Sequence, residues 1–302
     1  MKKSSELQNY GTAFFGTSKL AVYVFDELEK AKKLPDVVVT MPDSPAGRGL
    51  ALREPAVKTW AQERDIPILQ PGTLKGGDPD EDMLMNTDWK LFVVADYGLI
   101  IPKRVLDVPW AGTLNVHPSL LPKYRGPSPI ASQILNDEKD TGVSIMVVDE
   151  ELDHGPVVAQ ASISPDPWPL KASVLGEILM REGGRLLSEI VDTWCDEASF
   201  DEERGDERTL IPAPQEHTRA TFTSKFSKED GLLDLNADAY KNYLTFCAFD
   251  EWPGTYFFAE TKRGRIRVKI RDAEFSDGVF VVLSVIPEGK KEMPYADFMR
   301  GA

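Results

Sequence analysis

Asn115 and His117 stand two residues apart in the run Thr113-Leu114-Asn115-Val116-His117. In a β-strand, residues i and i+2 project to the same face. Asn115 and His117 therefore share one face, and Leu114 and Val116 share the other. Two polar side chains on one face of an apolar strand are unfavourable to bury unpaired. The strand is thus expected to open into a cleft, with Pro118 ending it. A histidine exchanges protons near neutral pH. An asparagine can donate a hydrogen bond to an oxygen that gains negative charge. Leu152-Asp153-His154-Gly155 offers a carboxylate on a later loop. Asp153 near His117 would fix the orientation of the ring. No Ser or Cys sits in a nucleophile elbow. The set Asn115, His117 and Asp153 points to direct transfer onto an external nucleophile such as an amine. His154 is read as a loop residue turned away from Asp153, and His217 is given no role.

A lone strand histidine is more often structural. Here the Asn on its face and the Pro-rich loop behind it favour chemistry. The surrounding pattern places the pair. Apolar strands are expected at Thr12–Phe15, Val37–Thr40, Ile66–Gln70, Leu91–Ala95, Thr113–His117 and Val143–Val148. Helical patterns lie between and after them, at Lys19–Lys33, Val57–Asp65, Ser128–Asn136 and Leu175–Cys195. Alternation of this kind predicts a mostly parallel sheet covered on both faces. Ligands of such sheets bind at the carboxyl ends of the strands. His117 and the loop bearing Asp153 should lie there.

The chain has 302 residues, 42% of them hydrophobic, which suggests about two domains with a real core. No apolar run approaches a membrane span, and Met1–Tyr10 lacks a signal-peptide core. Two cysteines and three histidines argue against disulfides and a metal site. A cytoplasmic, membrane-free, monomeric protein without metal is expected. Phe15-Gly16-Thr17-Ser18 lacks the dinucleotide fingerprint and no phosphate-binding P-loop occurs, so neither NAD nor ATP is inferred.

The net charge of −14 argues against nucleic-acid binding over the whole surface. It is unevenly spread. Thr221–Ala302 holds 12 Lys/Arg against 13 Asp/Glu, so the first 220 residues carry −13 of the total. Between the two parts, Asp196–His217 reads as a linker, with a charge cluster followed by Ile211-Pro212-Ala213-Pro214. The boundaries expected are 1–196, a linker 197–214, and 215–302. The last part should hold a helix at Ala237–Phe249 and strands at Arg265–Arg271 and Val279–Ile286. From Arg265 the run alternates, with Arg265, Arg267 and Lys269 on one face. That face is either a sheet edge protected by charge or a phosphate-tracking stripe. The Gly- and Pro-bearing stretch Pro42–Leu50, with Arg48 at its tip, is long for a strand-to-helix connection, and such loops tend to bind.

These residues resemble the methionyl-tRNA formyltransferase family over nearly the whole chain. The matching stretches are Phe15-Gly16-Thr17, Pro42-Asp43 with Pro45-Ala46-Gly47-Arg48-Gly49, Tyr97–Pro102, Asn115-Val116-His117, Ser119–Gly126, Thr141-Gly142-Val143, Leu152–Gly155, Lys225–Gly231 and Trp252-Pro253-Gly254. The Asn/His and Leu-Asp-x-Gly motifs are common to folate-dependent formyltransferases. The Arg48 loop and the Ser-Lys-Glu-Asp-Gly segment point to the tRNA member.

The resemblance implies a Rossmann-like α/β catalytic domain followed by a small OB-like β-barrel. It implies that the amine of initiator methionyl-tRNA attacks the formyl carbon of 10-formyltetrahydrofolate through a tetrahedral intermediate. Asn115, His117 and Asp153 would be catalytic. Tyr97, Gly98, Leu99, Ile100, Ser119, Leu120, Leu121, Pro122 and Leu152 would line the folate pocket. Arg48 and Arg53 would meet the acceptor stem, with Arg265, Arg267 and Lys269 contacting tRNA from the second domain. Several features depart from the pattern. Asp96 precedes Tyr97, the stretch after Arg48 is less basic, and the C-terminal domain looks shortened. The alternatives are a nucleotide-sugar N-formyltransferase using the same donor and a catalytically silent RNA-binding protein.

Overall fold

A computed structural model describes residues 11–46, 51–198, 209–262 and 264–301. They form two compact units. The first holds the chain up to Arg125, Gly142–Ser162 and Glu177–Thr221. The second holds Gly126–Thr141, Ile163–Gly176 and the chain from Phe222.

In chain order the elements begin β1 (Thr12–Gly16), α1 (Lys19–Lys30), β2 (Val37–Val39), β3 (Ser44–Ala46), β4 (Ala51–Arg53) and α2 (Ala56–Gln62). They continue β5 (Ile68–Leu69), α3 (Pro79–Met85), β6 (Leu91–Ala95), α4 (Lys103–Leu106), β7 (Thr113–His117) and α5 (Pro129–Leu135). Then come β8 (Thr141–Val147), β9 (Val157–Ile163), α6 (Ala172–Glu197) and α7 (Ala239–Ala248). The chain ends with β10 (Tyr256–Thr261), β11 (Gly264–Ser276), β12 (Val279–Pro287), β13 (Met293–Pro294) and α8 (Tyr295–Gly301).

Among the described residues the main sheet runs β5-β2-β1-β6-β7-β8-β9. Strands β5, β2, β1, β6 and β7 are parallel, and β8 is antiparallel to β7. Strand order reverses beside β1, the arrangement in which open α/β sheets bind ligands at the carboxyl ends of their strands. The alternation of side chains builds two cores. Phe14, Val38, Val93, Leu114 and Val116 pack with α1, α2 and α6, while Phe15, Val37, Val39, Phe92 and Val94 pack with Leu84 and Trp89. Burying a large apolar side chain of this kind contributes about 1.5–3 kcal/mol. Gly183 lets α6 lie close to the sheet, because a Cβ there would sit 2.4 Å from Val116 Cγ1 and 2.8 Å from Val143 Cγ2.

Helix α1 starts where Ser18 accepts a hydrogen bond from the Leu20 amide, and it stops at Lys30 rather than Lys33. Lys32 is left-handed, with φ 61°. Helix α3 and strand β9 carry no clear sequence signal. Part of the Pro42–Leu50 stretch read as a binding loop is strand instead, since it contains β3, which pairs with β4, and Arg48 lies outside the described residues.

In the second unit a four-stranded antiparallel sheet runs β10-β11-β12-β13. Helix α7, capped where Asp238 accepts from the Lys241 amide, packs on β11 and β12. Tyr240 and Tyr243 meet Phe275, and Phe246 meets Phe280. The fold class is thus a mostly parallel α/β sheet accompanied by a small β unit.

Candidate functional site

Strand β7 is bonded on both sides, by β6 and by β8, which fixes its side-chain directions. Leu114 and Val116 point into the first core. Asn115 and His117 take the other face. His117 is 4% exposed, and its Nε2 lies 3.0 Å from the carbonyl of Tyr124. A carbonyl can only accept, so Nε2 carries the proton of the neutral ring. The nitrogen left to gain or lose a proton is Nδ1. It lies 3.7 Å from Asp153 Oδ1, beyond hydrogen-bond length but close enough for charge pairing. Asn115 is half-buried, and among the described residues its amide has no hydrogen-bond partner. The structure thus brings the three residues to the carboxyl end of β7 and its neighbouring loop.

The loop after β7 is held by a serine that sequence reading missed. Ser144 pairs with His117 across the β7–β8 ladder and is fully buried. Its hydroxyl donates to the Ser119 carbonyl at 2.6 Å and accepts from the Leu121 amide at 3.1 Å. Gln160 on β9 donates to the Leu121 carbonyl and to Ser144 Oγ. Ser119 donates to the Lys123 carbonyl, and Leu120 leans on Gly142. Leu121 is buried, and its bond to Pro122 is cis.

The other expected folate residues divide. Ile100 and Leu152 are 92% and 61% exposed. Tyr97 and Leu99 pack against the second core, Tyr97 edge-on to Phe15 at 5.4 Å. The Tyr97 hydroxyl is buried, and among the described residues it has no hydrogen-bond partner. Burial, and then the charge of Asp78, push this phenol above its ordinary value. Gly98 is exposed beside Met41. Asp96 is left-handed at φ 46° and accepts from the Ser18 hydroxyl.

A second missed group comes from the segment read as linker. Residues 199–208 lie outside the described chain, but residues 209–221 belong to the first unit. Glu197 accepts from the amides of Thr209 and Leu210, and Ala213 bridges to Val157. Gln215 contacts both Arg125 and the Asp153 loop. Thr221 binds Tyr124 N–H through its hydroxyl and Arg125 N–H through its carbonyl. His217 Nδ1 lies 2.8 Å from Arg125 Nη2, and its ring stacks on His154 at 4.0 Å. His154 in turn pairs with Asp149 at 2.7 Å.

Arg53 is exposed at the end of β4. Nearby, Asp43 holds Lys58 at 2.7 Å. The hydrogen bond from Gln70, and then that from Lys58, keep the Asp43 carboxyl below its ordinary value. In the second unit Arg265 and Arg267 stack over Phe258 and Tyr256, at 4.3 and 3.5 Å. Lys269, next on the same strand face, lines a cleft with Lys171, Asp250, Thr255 and Arg271. Among the described residues no group of three or more His, Cys, Asp or Glu could hold a metal. No described helix is long and apolar enough to cross a membrane.

Residues 12–189 match the formyl transferase family. The methionyl-tRNA formyltransferase of Thermus thermophilus is 38% identical over 309 residues, spanning 96% of this chain and 95% of its own. Two solved structures share the fold. HypX from Aquifex aeolicus, in complex with tetrahydrofolic acid, has a TM-score of 0.60 at 17% identity, covering 97% of this chain but 47% of HypX. Methionyl-tRNA formyltransferase from Clostridium thermocellum has a TM-score of 0.56 at 16% identity, covering 92% and 98%. At such identities the structures speak for the fold, and it is the Thermus sequence, matched almost end to end, that places this chain in the methionyl-tRNA formyltransferase family.

Proposed function

We propose that this protein transfers the formyl group of 10-formyltetrahydrofolate to the amino group of initiator methionyl-tRNA, with Asn115, His117 and Asp153 as its catalytic groups. One observation carries the chemistry: the unpaired Asn115 amide stands on the strand face of a histidine whose Nδ1 confronts a carboxylate at 3.7 Å. The acceptor rests on the near full-length likeness to the Thermus enzyme. The protein is read as monomeric and cytoplasmic.

The exposed apolar side chains of Ile100 and Leu152 suit a planar ring that would cover them. Tyr97, Gly98, Leu99 and Ser119–Pro122 complete the proposed pocket. The folate supplies an activated formyl carbon and a nitrogen leaving group. Asn115 donates its amide N–H to the formyl oxygen as negative charge grows there. His117 Nδ1 receives or relays the proton that the attacking amine loses. Asp153 balances the cation that results, and the Tyr124 carbonyl keeps the ring from rotating. The proton ends on the departing nitrogen, so the groups return to their starting state. Arg48, Arg53, Arg265, Arg267 and Lys269 are assigned to tRNA.

The direct test is transfer from 10-formyltetrahydrofolate to charged initiator tRNA, with amino-sugar nucleotides run alongside. Formyl-methionyl-tRNA is the expected product. Transfer to a sugar nucleotide alone would overturn the acceptor while keeping the donor.

A further inference from the structure

Gln215 is 7% exposed and uses every hydrogen-bonding site of its amide. Nε2 donates to the carbonyls of Asp153 and Gly155, at 3.0 and 2.7 Å. Oε1 accepts from Arg125 Nε and Nη2, at 3.1 and 2.7 Å. Both partners adjoin the proposed catalytic centre. Asp153 is left-handed at φ 49°, a conformation that persists where the surroundings over-determine it. Gly155 presses on β8 so closely that a Cβ would sit 2.0 Å from the Val147 carbonyl. The loop is therefore pinned by β8 at one end and by Gln215 on its carbonyl side. Arg125, 3% exposed, directly follows Tyr124, whose carbonyl meets His117 Nε2. The contacts close a ring: His117, Asp153, Gln215, Arg125, Tyr124 and back to His117.

We propose that Gln215 is a positioning residue for formyl transfer. It holds the 153–155 backbone so that the Asp153 carboxylate stays opposite His117 Nδ1. Through Arg125 it also steadies the carbonyl that fixes the histidine ring. The proposal rests on the reading of Asn115, His117 and Asp153 as catalytic. It extends the machinery past residue 189, where the match to the formyl transferase family stops.

The test is a double-mutant cycle on the full chain, with kcat and KM measured for folate and charged tRNA. The variants are Gln215→Leu, Gln215→Glu, Asp153→Asn and the double Gln215→Leu/Asp153→Asn. Leucine removes all four hydrogen bonds, whereas glutamate keeps the acceptor for Arg125 and loses both donors to the loop. Rates are taken per folded molecule, counted by tetrahydrofolate binding, and Gln215→Glu carries the test if the leucine variant does not fold. Gln215→Leu should lower kcat about 10- to 100-fold, with KM for folate within about twofold. In the Asp153→Asn background the same change should matter less than about threefold, because neighbours that act as a unit are not additive. Equal losses in both backgrounds, or a loss confined to KM, would make Gln215 merely structural and overturn the proposal. Full activity of Gln215→Leu beside an impaired Asp153→Asn would do the same. Full activity of Asp153→Asn would instead overturn the reading of the catalytic centre.

Discussion

Two regions, one around β7 in the first unit and one on β11 in the second, treat polar side chains in opposite ways. Around β7, His117, Ser144, Arg125 and Gln215 are all buried; His117, Ser144 and Gln215 are each tied to particular backbone groups, and Arg125 to the Gln215 amide oxygen. On β11, Arg265 and Arg267 are exposed and rest on aromatic rings of β10. A buried polar group must be matched atom for atom, because an unmatched one costs about 1–3 kcal/mol. A guanidinium on an exposed ring gains only about 0.5–1 kcal/mol and tolerates displacement. The first arrangement suits chemistry that depends on geometry. The second suits a partner recognised through charge over a broad surface. The charge balance agrees, since the first 220 residues carry −13 and the remainder is near neutral.

The contrast is easiest to break at His117. His117→Ala should lower kcat at least ~100-fold while KM for folate stays within about twofold. A rise in KM alone would make the buried face a binding surface like the other. Next in size, Arg265→Ala combined with Arg267→Ala should raise KM for tRNA about tenfold and leave kcat intact. It should also flatten the dependence of log affinity on log salt by about 1–2. A matching loss in kcat would blur the division between the units. Gly183→Ala should overpack α6 against Val116 and lower stability by about 1–3 kcal/mol, seen as a drop in melting temperature. An unchanged melting temperature would mean that the sheet beneath the site can yield. The smallest effect concerns Cys247 on α7, whose thiol burial pushes up from 9.0 to about 11. A thiol that holds its proton more tightly when folded stabilises below pH 9, and that contribution fades as pH rises towards 11. Denaturation midpoints between pH 8 and 11 should therefore fall more steeply for the native chain than for Cys247→Ala. Parallel curves would rule this out.

Much of the first unit was legible because its signals are local. Five apolar residues in Leu91–Ala95 can be little but a buried parallel strand, and all five are buried. The Asn115–His117 spacing gave their common face, since a strand permits no other arrangement. Strand β9 was missed because Val157–Ile163 is only partly buried and mixes Gln160 and Ser162 with its apolar residues. Helix α3, Pro79–Met85, is too short and acidic to display an apolar stripe. Gln215 was illegible for a different reason. It follows Ile211-Pro212-Ala213-Pro214, whose composition suggests a linker, and nothing local announces that its amide will meet residues 60 and 90 positions earlier. Ser144 was hidden likewise, since its use depends on facing His117 across two strands.

Thr221 grips the Tyr124–Arg125 turn from nearly a hundred residues away. During synthesis, β7 and the Asp153 loop leave the ribosome well before this threonine does. The sheet can form around them, yet the turn beneath His117 lacks its clamp until the chain has grown past residue 221. A nascent protein would therefore own Asn115, His117 and Asp153, the proposed catalytic side chains, for some time before it could align them.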